Sequence, residues 1–295
     1  MVLYGRREAA LGSRAVCHAL FDVSGKNFLP SEFTRGPWDP LAQHGGAPAA
    51  LLMRAFERLP GIDGLLIARV TYEFLRPAPL GALTVRAEVV RPGRRVRLAE
   101  ASILTADGTE VVRARALQVR VADHGAASQA DALTTRPARA SAGRDAADPS
   151  AARPPGPETG TPSDMRAPYR PMFSPDAVEI RFVAGAFHDR GPSTAWLRLR
   201  CPLVRDEDAS ALQRLAAAAD FGNGISANLS WDDYVFINPD LTLYVEREPI
   251  HDCEWICLQA RTRIADGGIG VSESVLYDER GRIGRATQAL LVTRR

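Results

Sequence analysis

Hydrophobic and polar positions alternate over much of the chain, which is typical of β-strands, and only two stretches carry the denser apolar pattern of a helix. The first helix is predicted at residues 46–59, where Pro48 stands in the first turn and Pro60-Gly61 ends the helix. The second helix is predicted at residues 210–221, with Ser210 as its N-cap. Two strands precede each helix and four follow it. They are predicted at residues 15–23, 27–33, 65–75, 82–91, 94–105 and 110–121 around the first helix, and at residues 178–183, 194–201, 240–247, 253–263, 268–277 and 282–293 around the second.

A segment between the two sets of elements breaks this pattern. Residues 122–168 contain no aromatic residue, no Val and no Ile, and Ala, Ser, Thr, Gly, Arg and Pro dominate. Such a segment buries too little apolar surface to offset the entropy lost when it is ordered. We therefore predict a mobile or loosely draped linker at 122–168, with polyproline II character near Pro154, between an N-terminal unit at 1–121 and a C-terminal unit at 169–295.

The two units resemble each other in element order and in local sequence. Residues 71–76 resemble residues 242–247, and residues 112–117 resemble residues 284–289. A strand pair, a long helix and a run of antiparallel strands that wrap the helix follow the order of a hotdog fold. We predict an α+β double hotdog, in which two tandem repeats join their sheets and carry their helices on the same side.

Composition and charge exclude several classes of protein. The chain has 295 residues, of which 45% are hydrophobic and 24% are charged, so it has enough apolar material for a substantial core. A formal net charge of +2 is too small to indicate a nucleic-acid partner or a membrane surface. No apolar run approaches the length of a membrane span. We expect a cytoplasmic protein with no nucleic-acid or membrane partner.

Cysteine usage supports the same expectation. The four cysteines, Cys17, Cys201, Cys253 and Cys257, are too few and too scattered for a disulfide framework, which suggests a reducing compartment. Cys253 and Cys257 are predicted to be buried thiols on one face of a strand, because no Cys or His stands at zinc-finger spacing from them. We predict no metal site.

Two stretches carry a resemblance to a known family. Residues 35–52 read RGPWDPLAQHGGAPAALL, and residues 212–224 read LQRLAAAADFGNG, followed by FINPDLT at 236–242. These stretches resemble actinobacterial proteins related to bacterial acyl-CoA thioesterase II, a double-hotdog family, and the resemblance covers nearly the whole chain except the linker. It implies a cytoplasmic thioester hydrolase of lipid metabolism that acts on an acyl-CoA or a carrier-bound acyl thioester and forms a homodimer or larger homo-oligomer. It also implies no cofactor other than coenzyme A as part of the substrate.

The resemblance also implies a set of site residues. In the thioesterase II pattern an Asp on the second helix, a Thr just before the next strand and a Gln on the last strand position the hydrolytic water. The Asp corresponds to Asp220 and the Gln to Gln288, whereas Asn238 stands where the pattern has Thr. An amide still orients water through its donor or its acceptor end.

The residues themselves are consistent with this chemistry. Asp220 ends an apolar helix and Gln288 lies among small and apolar residues, so each needs hydrogen-bond partners if it is buried. An acid with two amides is suited to holding one water against a thioester carbonyl. The alternatives are structural: Asp220 caps or ends the helix beside Gly222, and Gln288 satisfies backbone groups.

A comparison of the halves points to one composite site. The first half has Ala116 where the second has Gln288, and the second half lacks a counterpart of the His44-Gly45-Gly46 turn. In single-hotdog thioesterases of similar build, a Gly amide at that turn polarises the thioester carbonyl while the acid comes from the facing subunit. We predict that the N–H of Gly45 or Gly46, at a helix N-terminus, is the oxyanion donor facing the three polar groups of the second half.

Other residues leave alternatives open. His44, which we group with Gly45 and Gly46 on the oxyanion and substrate-binding side of the site, is either a catalytic acid or base or, with more weight, a structural residue of the turn. Trp38 and Trp231 either line an acyl tunnel or belong to the core. Four arginines around one hairpin either hold the phosphates of coenzyme A or form a solvated edge. These are Arg91, Arg94, Arg95 and Arg97.

Motifs of competing chemistries are absent from the sequence. There is no Gly-Xaa-Ser-Xaa-Gly elbow, no dinucleotide loop after a strand, no Walker loop and no cluster with metal-ligand spacing. Two other functions stay open. One is a biosynthetic tailoring step on a carrier-bound or CoA-bound intermediate, such as dehydration, cyclisation or acyl transfer. The other is acyl binding without catalysis.

Overall fold

The computed structural model describes residues 16–121 and 153–295 and shows a strand-rich fold with one long helix in the first half. The predicted helix at 46–59 is present as α1, and the predicted strand at 15–23 is shorter, starting at Phe21. The elements of this half are β1 (Phe21–Ser24), β2 (Asn27–Pro30), α1 (Gly46–Glu57), β3 (Leu65–Phe74), β4 (Leu83–Arg91), β5 (Val96–Thr105) and β6 (Glu110–Arg120).

The second half repeats this order with additions. The predicted helix at 210–221 divides at Asp220 into two helices, and a short strand that the sequence analysis missed lies before the strand at 240. The elements are β7 (Thr161–Pro162), β8 (Val178–Ala184), β9 (Ser193–Leu199), α2 (Ala211–Ala219), α3 (Gly222–Ser226), β10 (Tyr234–Ile237), β11 (Asp240–Val245), β12 (Trp255–Ile264), β13 (Ile269–Asp278) and β14 (Gly281–Arg294).

All these strands belong to one sheet, whose neighbouring strands run antiparallel. The order is β1-β2-β4-β5-β6-β3-β11-β14-β13-β12-β9-β8-β7, and β10 pairs with β14. The two halves join at the pair β3–β11, where Thr71 lies opposite Thr242. The matching segments at 71–76 and 242–247 therefore meet at the middle of the sheet.

The helices pack against the sheet and against each other. Helix α1 contacts β4, β5 and β6, whereas α2 contacts β9, β11 and β12. The two helices run antiparallel: a Cβ on Gly46, at the start of α1, would lie 2.5 Å from the carbonyl oxygen of Ala217, near the end of α2. At the opposite end, Glu57 accepts a hydrogen bond of 2.7 Å from the Ser210 hydroxyl. This packing brings the start of α1 to Asp220.

Part of the predicted linker belongs to the second half of the fold. Residues 122–152 lie outside the described residues, but residues 153–168 are described. Thr161–Pro162 forms β7 at the edge of the sheet, and the Trp196 indole N–H donates to the Pro155 carbonyl at 2.7 Å. The boundary at 168 is therefore too late, because backbone pairing and a buried indole hold residues that composition alone assigns to a linker.

The cysteines differ from the sequence expectation in one pair. Cys253 and Cys257 are free and buried, as predicted, although Cys253 precedes β12 rather than lying on it. Cys17 and Cys201, however, form a disulfide with a Cα–Cα distance of 5.8 Å. They meet because the chain around Phe21 docks along the segment after β9, where Phe21 N–H donates to the Leu203 carbonyl at 2.9 Å. A contact across 184 residues leaves no signal in cysteine spacing.

Candidate active site

Asp220 lies at the C-cap of α2, two residues before α3 begins at Gly222, and its side chain is nearly inaccessible to solvent. The carboxylate oxygen Oδ1 accepts hydrogen bonds from Asn238 Nδ2 at 2.8 Å and from Gln288 Nε2 at 3.1 Å. A carboxylate buried to this extent requires such donors, because water no longer solvates it. Both amides that the sequence analysis pairs with Asp220 therefore contact it.

Gln288 lies on β14 with its side chain on the face that packs against α3. Its Nε2 also donates to the backbone carbonyl of Asp220 at 3.2 Å, and its Oε1 accepts from the Asn223 N–H at 3.2 Å. The orientation of the Gln288 amide is therefore fixed, because Oε1 accepts from one donor and Nε2 donates to two acceptors. This orientation holds an N–H towards the Asp220 carboxylate.

The turn before α1 supplies the other side of the site. His44 Nδ1 lies 3.0 Å from Asp220 Oδ2, the oxygen that neither amide contacts. The imidazole stacks on Phe221 with ring centroids 4.5 Å apart and lies 5.0 Å from the Phe173 ring. His44 therefore contacts the carboxylate. The sequence analysis did not predict this contact, because no spacing rule links residues in different halves.

The two glycines after His44 allow this approach. A Cβ on Gly45 would lie 2.8 Å from Asp220 Oδ2 and 3.1 Å from the Phe74 ring, so any side chain there displaces the carboxylate. Within residues 16–121 and 153–295 the Gly45 N–H has no hydrogen-bond acceptor. The Gly46 N–H donates a hydrogen bond to His44 Nδ1, with an N–N distance of 3.1 Å. Amides at a helix N-terminus carry partial positive charge and suit an oxyanion.

The structure therefore brings together every residue that the sequence analysis assigned to the site, from both halves of the chain. The first half supplies the turn and the second supplies the carboxylate and the amides. Their roles in catalysis stay predictions. The six residues are His44, Gly45, Gly46, Asp220, Asn238 and Gln288.

A buried polar network that the sequence analysis missed is connected to Gln288 through Asn223, whose N–H donates to Gln288 Oε1. Ser226 and Thr262 hydroxyls lie 2.9 Å apart, and the Thr262 hydroxyl donates to Asn223 Oδ1 at 3.4 Å. All three side chains are buried. The polar residues within 222–226 are the only sequence signal of this network, and they read equally well as a loop.

The remaining candidates are the two tryptophans and the four arginines, for which the sequence left a functional and a structural alternative open. Trp38 and Trp231 contact each other at a centroid distance of 5.3 Å, and Trp38 stays partly exposed. Arg97 is buried and donates to the Gln118 side chain and to the Pro60 carbonyl, so it is structural rather than a phosphate ligand. Arg91, Arg94 and Arg95 are exposed. In the part of the chain that the structure describes, no three His, Cys, Asp or Glu side chains group as metal ligands.

Fold and site together define a hotdog-type protein, a large antiparallel sheet with few helices, whose polar site combines one buried carboxylate with side-chain amides and a glycine turn. The acyl-CoA thioesterase N-terminal domain model matches residues 34–119, and the acyl-CoA thioesterase C-terminal domain model matches residues 144–292. The chain belongs to this acyl-CoA thioesterase family and is a thioester hydrolase.

Solved structures share the fold over nearly the whole chain. A hot dog fold protein of unknown function from Alicyclobacillus acidocaldarius is 17% identical, with a TM-score of 0.66 and coverage of 93% of this chain and 95% of that one. A protein provisionally assigned as a thioesterase II from Thermobifida fusca is 18% identical, with a TM-score of 0.64 and coverage of 92% and 94%. An acyl-CoA thioesterase II from Mycobacterium marinum is 15% identical, with a TM-score of 0.58 and coverage of 85% and 89%.

No protein with a curated functional description matches this sequence. Among the helices of residues 16–121 and 153–295, none has the length and hydrophobicity needed to cross a bilayer.

Proposed function

We propose that the protein hydrolyses an acyl-CoA to a free acid and coenzyme A with a water molecule that Asp220 activates. The observation that carries the proposal is the buried Asp220 carboxylate, which has polar partners from three separate segments and lies against the glycine turn at the start of α1. A carboxylate held in this way has the fixed orientation that a general base requires, because neither oxygen is free to turn towards bulk solvent.

In the proposed reaction, Asp220 takes a proton from water while the hydroxyl oxygen adds to the thioester carbonyl carbon. The carbonyl oxygen becomes an oxyanion that the Gly45 N–H stabilises, with no acceptor to displace within the described residues. The C–S bond then breaks, and the thiolate of coenzyme A leaves and takes up the proton. Gln288 and Asn238 hold the carboxylate through their N–H groups, and through it they fix the position of the water.

Thioester cleavage with paired variants tests this proposal. We expect Asp220→Asn to lower kcat/KM by roughly 10²- to 10⁴-fold, the range of a positioned proton acceptor, and Gln288→Ala to lower it less. Asp266→Asn, in an exposed turn, serves as the matched control. Thiol release from acyl-CoAs of several chain lengths measures the rates, and thermal melting checks the fold. If both variants hydrolyse every substrate at the control rate, the assigned site is wrong.

A second experiment separates a base from a nucleophile. In a single turnover in ¹⁸O-labelled water, a water attack puts the label in the acid product. A nucleophilic Asp220 would instead form an acyl-enzyme and take up the label itself. We expect labelled product and unlabelled Asp220.

We also propose an architecture and an assembly for the protein. The two halves are tandem hotdog copies with a central helix each, which the pairing of the sequence-matched strands β3 and β11 supports. A cytoplasmic location, a homodimer or larger homo-oligomer and the absence of a metal stay predictions. Light scattering on the purified protein measures its mass in solution.

A further inference from the structure

A small apolar cluster lies beside the amides of the active site and is separate from the main core. Buried and exposed positions alternate along β14, so Gln288, Leu290 and Val292 form a row on one face of the strand. On the neighbouring strand β10, Phe236 lies opposite Val292 and is 2% exposed. Leu290, Val292 and Phe236 pack together as a cluster of their own. An apolar surface therefore begins where the polar site ends.

Two tryptophans from different halves of the chain lie over this cluster. The Trp231 ring lies 4.6 Å from the Phe236 ring, and the Trp38 ring lies 5.3 Å from the Trp231 ring, both measured between centroids. Trp38 is 41% exposed and stands in a turn, residues 37–41, in which every residue is exposed. The Arg295 guanidinium lies over the Trp38 ring at 5.7 Å and helps to hold it there. The tryptophan pair thus connects the halves outside the main core.

The segments that carry the two tryptophans lead directly to the site. Trp38 precedes His44 by six residues, and Trp231 precedes Asn238 by seven. His44 Nδ1 lies 3.0 Å from Asp220 Oδ2, and Asn238 Nδ2 lies 2.8 Å from Asp220 Oδ1. The chain and its contacts therefore form a closed ring that runs from Asp220 through Asn238, Trp231 and Trp38 back to His44. A thioester held at Asp220 lies at one side of this ring, and the apolar cluster lies at the other.

We propose that Trp38 and Trp231 set the length of the acyl chain that the enzyme accepts. The acyl chain extends from the thioester along Leu290 and Val292, Trp38 covers it, and the Trp231 ring closes the far end. The strand from Gln288 to Val292 spans roughly 13 Å, which matches an extended acyl chain of about ten carbons. This inference rests on the proposed function and adds to it a class of substrate, medium-chain acyl thioesters.

The chemistry of this path favours the acyl chain over the pantetheine arm of coenzyme A. Methylene groups gain free energy when apolar side chains bury them, whereas the amides of the pantetheine arm require hydrogen-bond partners. Beyond Gln288, the buried side chains of this row are Leu290 and Val292, which offer neither a donor nor an acceptor. The Phe236 ring beside them is apolar as well. The apolar arm of the substrate therefore fits this path.

A chain-length series tests the inference by kinetics. For straight-chain acyl-CoAs we expect the wild-type kcat/KM to rise roughly threefold per added carbon up to about ten carbons, since each methylene is buried, and to fall beyond that length. Trp231→Ala should raise kcat/KM for palmitoyl-CoA about tenfold and leave butanoyl-CoA unchanged. Trp38→Ala should lower kcat/KM for decanoyl-CoA about tenfold, again without a change for butanoyl-CoA. Leu41→Ala, in the same exposed turn, is the matched control.

Fluorescence locates the end of the acyl chain without a measurement of turnover. The chain has four tryptophans, and Trp196 and Trp255 belong to a different cluster. Bromine quenches a tryptophan that it contacts, so decanoyl-CoA brominated at its last carbon should quench Asp220→Asn more strongly than decanoyl-CoA does. When Trp38→Phe and Trp231→Phe are added to this variant, we expect the difference to disappear. A difference that persists in the combined variant overturns the placement of the chain.

The outcomes distinguish this inference from the proposed function. If Asp220→Asn hydrolyses acyl-CoAs at the wild-type rate, the proposed function fails, whatever chain length is preferred. If Asp220 is essential and both folded alanine variants keep the wild-type chain-length profile, the inference alone fails. An equal loss at every chain length also overturns it, because the tryptophans then contact the pantetheine arm. Melting temperatures check the fold, and Trp38→Leu and Trp231→Leu provide the same comparison where an alanine variant unfolds.

Discussion

Gly46 lies against the backbone of the facing helix, so the absence of a side chain there sets the distance between α1 and α2. A Cβ at this position would lie 2.5 Å from the Ala217 carbonyl oxygen and 2.9 Å from the Phe173 ring. The carbonyl belongs to a helix and cannot rotate away. The composite site depends on this approach, because Gly45 meets Asp220 only one residue earlier in the chain.

We therefore predict that Gly46→Ala destabilises the protein, although alanine favours helix formation by up to about 1 kcal/mol relative to glycine. Overpacking of a fixed contact costs about 1–3 kcal/mol, which outweighs that gain. The melting temperature should fall by about 3–6 °C in a domain of this size. Gly81→Ala is the control, since no atom lies within 4 Å of its added Cβ. Equal melting temperatures for both variants would contradict this helix spacing.

At the residue scale, the sequence predicts which side chains form the site but not how they bond. Asp220 and Gln288 are polar residues in apolar surroundings, and this contrast is visible without a structure. The contact of His44 with Asp220 is not visible, because it depends on how two helices from different halves pack. Local pattern carries no information about such a distance.

The antiparallel helix pair has a second carboxylate, which is half-buried, at its opposite end. Glu57, the last residue of α1, accepts from the Ser210 hydroxyl and from Gln213 Nε2, each at 2.7 Å. Burial raises the pKa of Glu57 above its ordinary value near 4.5; the two donors oppose this shift and Glu248 adds to it. The folded protein therefore binds this proton more tightly than the unfolded chain does.

This raised pKa predicts a pH-dependent stability. The stability that Glu57 contributes is complete below pH 4.5 and is lost as the pH rises through its raised pKa in the folded protein. Glu57→Gln keeps the geometry without the charge, because its amide can donate to Ser210 and accept from Gln213. We expect equal melting temperatures at pH 4 and a gain of about 2 °C for the variant at pH 7.5. Glu279→Gln, in an exposed turn, is the control. A melting-temperature difference between the wild type and Glu57→Gln that does not change with pH would contradict the assignment.

Among the elements, the long regular ones follow from the sequence and the short ones do not. Helix α1 and strands β3 to β6 occur close to their predicted bounds, because several turns or alternating positions support each of them. Strands β7 and β10 have two and four residues and form only by pairing with β8 and β14. Their stability comes from tertiary contacts, which the local sequence does not encode.

On the scale of the whole molecule, the N-terminal part of the chain is attached to the second half by several kinds of contact. Leu20 and Phe21 donate backbone hydrogen bonds to Pro202 and Leu203, at 3.0 and 2.9 Å. The Cys17–Cys201 disulfide adds a covalent bond beside them. The halves are therefore joined at the outer strand β1 as well as at the central pair β3–β11.

The structure predicts two free cysteines and two disulfide-bonded ones. In protein purified in aerated buffer and unfolded without reductant, we expect two reactive thiols, those of Cys253 and Cys257, and four after reduction. Reduction, or the Cys17→Ser variant, should lower stability by about 2–4 kcal/mol, since the bond closes a loop that spans most of the chain. The backbone hydrogen bonds that position the two cysteines persist without the disulfide, so the reduced protein should still fold and turn over substrate. A thiol titration before and after reduction gives the count, and four thiols before reduction would contradict the bond.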